Sequence, residues 1–369
     1  MPDLAPIHPV ERTHLDELTG DLGIMQHAVG RRPDPTHGYC TDDVARALIV
    51  DLLHAGELGW PAVEDSAERL MAFLDAAFVP ARGRFRNFRS VDGRWLDRVG
   101  SEDAHARALL GLAEASVAAG DGAFRARAAS LLERALPAAL RFTHLRPIAG
   151  AVVACERAAR GGDGDATGTL RELSARLWRQ VGEARDASAD WPWPAPTVTY
   201  EGGIVPRALI RAGARLGDDR MTERGLALLD WLVVVQTAPG GHFSPVGNGG
   251  WWPRGGTKAR YDQQPIEATA LLLAAEAAFE VARKERHRDI MEWAYGWFLG
   301  RNDRGIQLAV PGEGACNDGL TPTGANTNQG AESTLMWLTA LEHIRVLRRS
   351  RAARPTNRVG RPPMVAATA

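Results

Sequence analysis

Two kinds of helical segment alternate along this chain, and the alternation limits what it can fold into. From Asp43 to Ala55 apolar residues fall on nearly every side of a helical projection, which marks a helix buried all round. Ala62 to Phe78 is amphipathic instead, with Glu64, Asp65, Glu68 and Arg69 on one side. The pair recurs. Glu102 to Ala118 is followed by Ala123 to Leu140, Pro147 to Arg157 by Thr169 to Ala184, Pro206 to Leu216 by Met221 to Val235, and Pro265 to Arg283 by Glu285 to Leu299. Ala331 to Leu347 ends the series. With a first helix over Glu11 to Val29, interrupted near Gly20 to Gly23, twelve helices are expected.

The connections are unequal in a regular way. A buried helix passes to its amphipathic partner through a few residues, as at Gly120 to Gly122 or Gly217 to Asp219, whereas the return uses long segments: Pro80 to Gly100, Arg185 to Val205, Thr237 to Gln264 and Gly300 to Gly330. Loops therefore gather at the end that holds the N-termini of the buried helices. One of them, Arg82 to Phe88 and Val91 to Trp95 about an Asp-Gly turn, reads as a small β-hairpin.

A short motif marks those N-termini. Thr41-Asp42-Asp43-Val44-Ala45-Arg46-Ala47-Leu48 puts a hydroxyl and two acids ahead of an apolar run, and Ser101-Glu102-Asp103-Ala104-His105-Ala106-Arg107-Ala108-Leu109 repeats the arrangement. Echoes follow at Tyr261-Asp262-Gln263-Gln264-Pro265-Ile266-Glu267 and at Asn328-Gln329-Gly330-Ala331-Glu332-Ser333-Thr334. Their starts, near residues 41, 101, 146, 201, 262 and 328, are too irregular for a fixed-period solenoid. Six unequal hairpins closing on themselves fit better.

Over Glu11 to Leu347 this organisation resembles the (α/α)6 toroid, the six-hairpin fold of many glycoside hydrolases, some polysaccharide lyases and the sugar 2-epimerases. In the three motifs it is similar to bacterial members of that superfamily of unassigned activity. The resemblance implies an all-α (α/α)6 barrel over residues 1–350 with a small β-hairpin in one loop. It also implies sugar chemistry at the loop-rich mouth. The arginines at and after the close of the last apolar stretch, from Arg345 to Arg361, are read as a solvated basic tail, with residues 351–369 as a disordered segment.

The mouth carries groups that sugars use. Trp95, Trp191, Trp193, Trp251 and Trp252 all fall in connections, where flat aromatic faces either pack the loops down or meet the C–H faces of pyranoses. Around them, Arg98, Tyr200, Asn248, Arg254, Lys258, Gln263, Gln264, Asn326, Asn328 and Gln329 can hydrogen-bond hydroxyl groups. Acids in a helical first turn are favoured by capping and the macrodipole alone, so each has a structural reading as well. In a ring they converge. With packed axes about 8–10 Å apart, opposed first turns come near the ~6.5–9.5 Å carboxylate spacing of an inverting glycosidase. The expected catalytic pair is Asp103 and Asp262, with Asp43 and Glu332 as the competing pair. Asp42 and Glu102 are expected to bind sugar or set the neighbouring pKa values.

The expected function is thus an inverting glycoside hydrolase acting on short oligosaccharides. The alternatives are an epimerase of the same fold, using His37, His105, His144 or His242, or a noncatalytic glycan-binding protein. Cys40 lacks an identifiable base, and no HExxH or cysteine pair suggests a metal, so no cofactor is expected. A net charge of −1 gives no field to recruit nucleic acid or membrane. Three cysteines without metal or redox spacing, no signal-like N-terminus and no long apolar span point to the cytoplasm.

Overall fold

The structure is a computed structural model that describes residues 4–118, 120–162, 164–182, 188 and 190–352. It contains α1 (Thr13–Leu18), α2 (Thr41–Leu58), α3 (Glu64–Ala77), α4 (Glu102–Val117), α5 (Gly122–Ala135) and α6 (Leu145–Arg160). Then come α7 (Gly164–Val181), α8 (Ile204–Leu216), α9 (Asp219–Val235), α10 (Pro265–Ala282), α11 (Glu285–Phe298) and α12 (Ala331–Ala352). The even-numbered helices form the inner ring. Each packs on the next, and α12 returns to α2, so the ring is closed. The helices α3, α5, α7, α9 and α11 each pack outside the inner helix before them, and short α1 lies against α12. This is the expected all-α (α/α)6 toroid. Among the described residues, no helix is long and apolar enough to cross a membrane.

The two helix types follow from how many faces are covered. In α10 nearly every side chain from Pro265 to Phe279 is buried, because ring neighbours lie on both flanks and α11 outside. Outer helices such as α3 bury one stripe, here Ala67, Leu70, Met71, Phe73, Leu74 and Ala77. Side-chain caps start helices of both kinds: Ser101 Oγ accepts from the Ala104 amide at inner α4, and Asp218 accepts from the Met221 amide at outer α9.

The N-terminal region departs from expectation. The helix expected over Glu11 to Val29 stops at Leu18, and the chain continues as β1 (Thr19–Gly20), β2 (Gly23–Val29) and β3 (Arg32–Cys40), paired antiparallel in that order. Gly23 explains the break. Its φ of +136 is closed to a helix, and it lies where a Cβ would press on Val44 and Phe73. The loop hairpin is modified too: Phe88–Arg89 pairs with β3 as a fourth strand, while Arg89 also bridges to Trp95 around the Asp92-Gly93 turn.

At the other end α12 runs past Leu347 to Ala352, and its arginines are not free in solvent. Arg345 donates to Glu342 and to the His8 carbonyl, Arg348 holds Glu292 through two bonds, and Arg349 pairs with Glu57. The tail expected over residues 351–369 lies, from residue 353, outside the described residues.

Ring closure requires close backbone approach between α8 and α10. Gly203, just before α8, faces Ala270 so tightly that any Cβ would collide with the Ala270 carbonyl. Gly203→Ala is therefore expected to destabilise the protein by about 1–3 kcal/mol, the usual cost of overpacking, as read by urea unfolding. A change below a few tenths would show that the ring can open at this point.

Candidate active site

Three helices of the ring, α2, α4 and α12, aim their first turns at one cavity of about 590 Å³. Four of its carboxylates stand at the starts of three inner helices: Asp42 and Asp43 on α2, Asp103 on α4 and Glu332 on α12. A fifth, Asp318, comes from the loop before α12. Two arginines reach in from the second turns of α2 and α4. Arg46 bridges Asp43, at 2.8 Å, and Glu332, at 2.9 Å. Arg107 grips Glu201 with both terminal nitrogens, and Glu201 sits in a left-handed backbone conformation with φ of +57.

The carboxylates are not equivalent. Asp43 is buried and fully engaged: one oxygen accepts from Arg46 and the other from the Cys40 thiol, at 3.1 Å. Burial raises its pKa to about 6, against the opposing pull of Arg46 and with help from nearby Glu332. Asp103 is held by Arg146 through two bonds of 3.0 and 2.6 Å, and the Arg146 guanidinium also lies 3.6 Å over the Tyr200 ring. Asp42 is pushed up by burial, partly offset by Arg46, Arg107 and a hydrogen bond with Asn87, and raised further by Asp103. Unlike Asp43 and Asp103, it is in no ion pair among the described residues. Glu332 gives one oxygen to Arg46 and is 35% exposed to the cavity side, which leaves the other available. Burial also raises the pKa of Asp318, which accepts from the Gly330 amide.

Beneath the cavity, Glu267 on α10 accepts from the Glu201 amide. Burial raises its pKa to about 8, opposed by that bond and raised again by Glu201 and Glu332. A largely neutral Glu267 at pH 7 thus supports the strained Glu201 backbone without adding a charge to a crowded acidic floor.

Of the side chains expected at the site, Asp42, Asp43, Asp103, Glu332, Tyr200, Trp251, Gln264, Asn248 and Asn326 line the cavity. Trp251 lies beside Tyr200, with ring centres 5.8 Å apart and the planes tilted by 34°. The others are placed elsewhere. Asp262 has φ of +60 and an exposed side chain turned toward Gly249, outside the cavity lining. Glu102 caps the start of α6, where the Thr143 and His144 amides, working against burial, lower its pKa. Trp191, Trp193 and Trp252 pack around Trp231 as a structural aromatic cluster. Trp95 packs on Phe73 with Arg86 and Arg89 over its face, Arg98 is exposed, and Lys258 ties the Val235 and Ser244 carbonyls together. Gln263 is buried against Trp297 and Asp303, Arg254 reaches Ser188, Asn328 accepts from the Gly30 amide, and Gln329 reaches Asn317.

The histidines named for the epimerase alternative are also dispersed. His105 is buried between Phe85 and Phe142 with its pKa pushed down to about 3 by burial, His144 sits on Glu102, and His242 faces Asp303. His27 lines the cavity, with His37 edge-on to it at 4.6 Å. Cys40 is a buried helix cap, and burial raises its thiol well above the ordinary value. Among the described residues, no three His, Cys, Asp or Glu side chains are grouped to hold a metal ion.

Several site residues escaped sequence reasoning. The arginine common to Ala45-Arg46-Ala47-Leu48 and Ala106-Arg107-Ala108-Leu109 was the available signal for Arg46 and Arg107. Arg146, Asp318 and Glu201 lie in segments with no such pattern.

No family model and no curated protein matches the chain. Solved structures do. A cellobiose 2-epimerase from Spirochaeta thermophila superposes with a TM-score of 0.69 at 14% identity, covering 91% of this chain and 94% of that one. A GH76 alpha-mannanase from Bacteroides thetaiotaomicron gives 0.61 at 10% identity, with 92% and 95% covered. A GH76A alpha-1,6-mannanase from Salegentibacter, crystallised with alpha-1,6-mannotriose as an inactive variant in which two adjacent aspartates are replaced by asparagine, gives 0.57 at 10%, with 91% and 96% covered. Epimerases and mannanases thus share this chain's (α/α)6 toroid over about nine-tenths of its length.

The raised pKa of Glu267 has a thermodynamic consequence. A carboxyl that binds its proton more tightly folded than unfolded favours the folded state at low pH, and that advantage is lost as pH rises from the unfolded value toward about 8. The melting temperature should therefore fall between pH 5 and pH 8, and Glu267→Gln should flatten that slope. An unchanged slope in the variant would place the titration elsewhere.

Proposed function

We propose that this protein is a carbohydrate-active enzyme, a glycoside hydrolase acting on short, uncharged oligosaccharides. The observation that supports it most is the unequal use of the carboxylates around one cavity. Asp43 and Asp103 are tied up by Arg46 and Arg146, whereas Asp42 and Glu332 keep capacity for substrate and water. Hydrolysis needs one carboxyl to protonate the leaving oxygen and a second to take a proton from the attacking water. Asp42, with its pKa raised by burial, suits the first role. Glu332, held in place by Arg46, suits the second.

In this reading, water attacks the anomeric carbon as the glycosidic C–O bond breaks. The leaving oxygen takes the Asp42 proton, and Glu332 receives one from the water. α2 and α12 are ring neighbours, with axes about 8–10 Å apart in ordinary packing, which leaves room for a water between the two side chains and favours inversion. Tyr200 and Trp251 offer the aromatic platform. Five carboxylates face two arginines in the lining, so uronic acids and sugar phosphates are disfavoured by charge. The adjacent aspartates whose replacement inactivates the Salegentibacter mannanase lend support to a role for the Asp42–Asp43 pair.

The specific observation favouring a second reading is the His27–His37 pair at the mouth, together with the epimerases among proteins of this fold. An epimerase would move a proton at the carbon beside a carbonyl and needs a base there.

Neutral oligosaccharides, manno- and gluco-configured, should be screened by reducing-end detection, with proton NMR reading the first-formed anomer. Asp42→Asn and Glu332→Gln are each expected to lower kcat by at least ~10²-fold, the low end for losing a positioned acid or base, while sugar binding persists. His27→Ala should leave hydrolysis nearly intact. Conversion of a free reducing sugar to its epimer, abolished by His27→Ala and not by the carboxylate variants, would replace the hydrolase reading.

A further inference from the structure

The ring encloses a second cavity, of about 470 Å³, at the end opposite the loop-rich mouth. It is walled by residues of all six inner helices, and Arg46 and Arg107 belong to both linings, so these two guanidiniums separate it from the site above. Its rim is polar and open: Arg157, Arg160 and Glu280 each keep more than a third of their side chains exposed. Its walls are half apolar, with Leu52, Leu110, Val153, Leu273 and Met336 among them.

The carboxylates of this lining are already taken. Glu114 accepts from Arg157 at 2.7 Å, Glu156 from Arg160, Glu201 from Arg107, and Glu280 from Arg211 at 2.6 Å. Glu276 meets His343 at 2.7 Å and Arg211 at 3.6 Å. Arg207, on α8, is left over. Among the described residues no carboxylate lies within ion-pair reach of it, and its buried Nε has no hydrogen-bond partner. Burial, with Arg211 close by, weakens its hold on its proton relative to an ordinary arginine. Its side chain is only partly buried, and among the described residues its terminal nitrogens find no protein acceptor, so a ligand that carries acceptors in the cavity before it meets a cation that no carboxylate already holds.

We propose that this lower cavity is a binding site for a small organic monocarboxylate, whose oxygens accept from Arg207 while its body rests on the apolar wall. A single negative charge fits better than two, because Glu114, Glu201 and Glu276 all act on Arg207 from around it and would repel a dianion. The size allows for more than a bare ion, since about 470 Å³ is within the range of small-molecule sites. The site neither uses nor requires the catalytic reading given above; it rests on its own unpartnered cation and its own mouth.

The full-length chain can be tested with sodium benzoate as the carboxylate with an apolar body, inorganic phosphate as the dianion and sodium chloride at matched ionic strength. Benzoate in the millimolar range should raise the melting temperature by a few degrees over chloride and give a saturable heat in titration calorimetry, whereas phosphate should do neither. Arg207→Met keeps the aliphatic stem and removes the charge; it should fold and lose at least tenfold in benzoate affinity. Should that variant fail to fold, Arg207→Lys takes its place, with a weakened but measurable affinity expected. A crystal soaked with 4-bromobenzoate should place the bromine in the lower cavity. The proposal is overturned if benzoate acts no differently from chloride, if phosphate alone stabilises, if Arg207→Met binds like the parent, or if the bromine lies only in the upper cavity.

Discussion

The axis of this ring is held by two guanidiniums, Arg46 buried and Arg107 partly so. Arg46 ties Asp43 on its own helix to Glu332 on α12, and Arg107 ties α4 to Glu201 at the entrance to α8. The first link joins ring neighbours, whereas the second reaches past α6 to the next inner helix but one. Removing a partner from a buried pair leaves an uncompensated charge, which costs far more than the pair itself contributes. The network therefore acts less as a source of net stability than as a condition on geometry: α2, α12, α4 and the α8 entrance must stand where these bonds close.

That condition also shapes the chemistry. A cluster of acids at helix N-termini gains from the macrodipole, yet five carboxylates around one cavity repel one another. The structure resolves the conflict in three ways. Arg46 and Arg146 neutralise Asp43 and Asp103, burial keeps protons on Glu267 up to about pH 8, and burial also raises the pKa of Asp42. Unequal environments imposed on chemically similar groups are what acid and base division of labour requires.

The fold was legible because its signal is local and repeated. Helix burial on all sides or on one stripe shows directly in the spacing of apolar residues, and unequal loop lengths reveal which end gathers the loops. The N-terminal sheet was less legible. A run from Glu11 to Val29 has apolar residues that suit a helix, but the left-handed Gly23 and the pairing of β3 with Phe88–Arg89, far along the chain, carry it into strands. The basic stretch at the end of α12 likewise looked solvated in isolation, while its arginines meet Glu292 and Glu57 from distant helices.

From sequence alone came the alternating helices, the closed ring they imply, and the acidic first turns of α2, α4 and α12 as the place to look, because each depends on residues close together in the chain. Which acids face the cavity was decided by tertiary structure. Asp262 occupies the motif position ahead of α10, yet a left-handed backbone turns it outward, and Glu102 is drawn aside by the Thr143 and His144 amides. Three loop tryptophans pack around Trp231, two of them buried, which no local pattern foretold. Side-chain direction at a helix entrance, and the partner that claims each charge, depend on residues tens of positions away, and these are specified only when the ring closes.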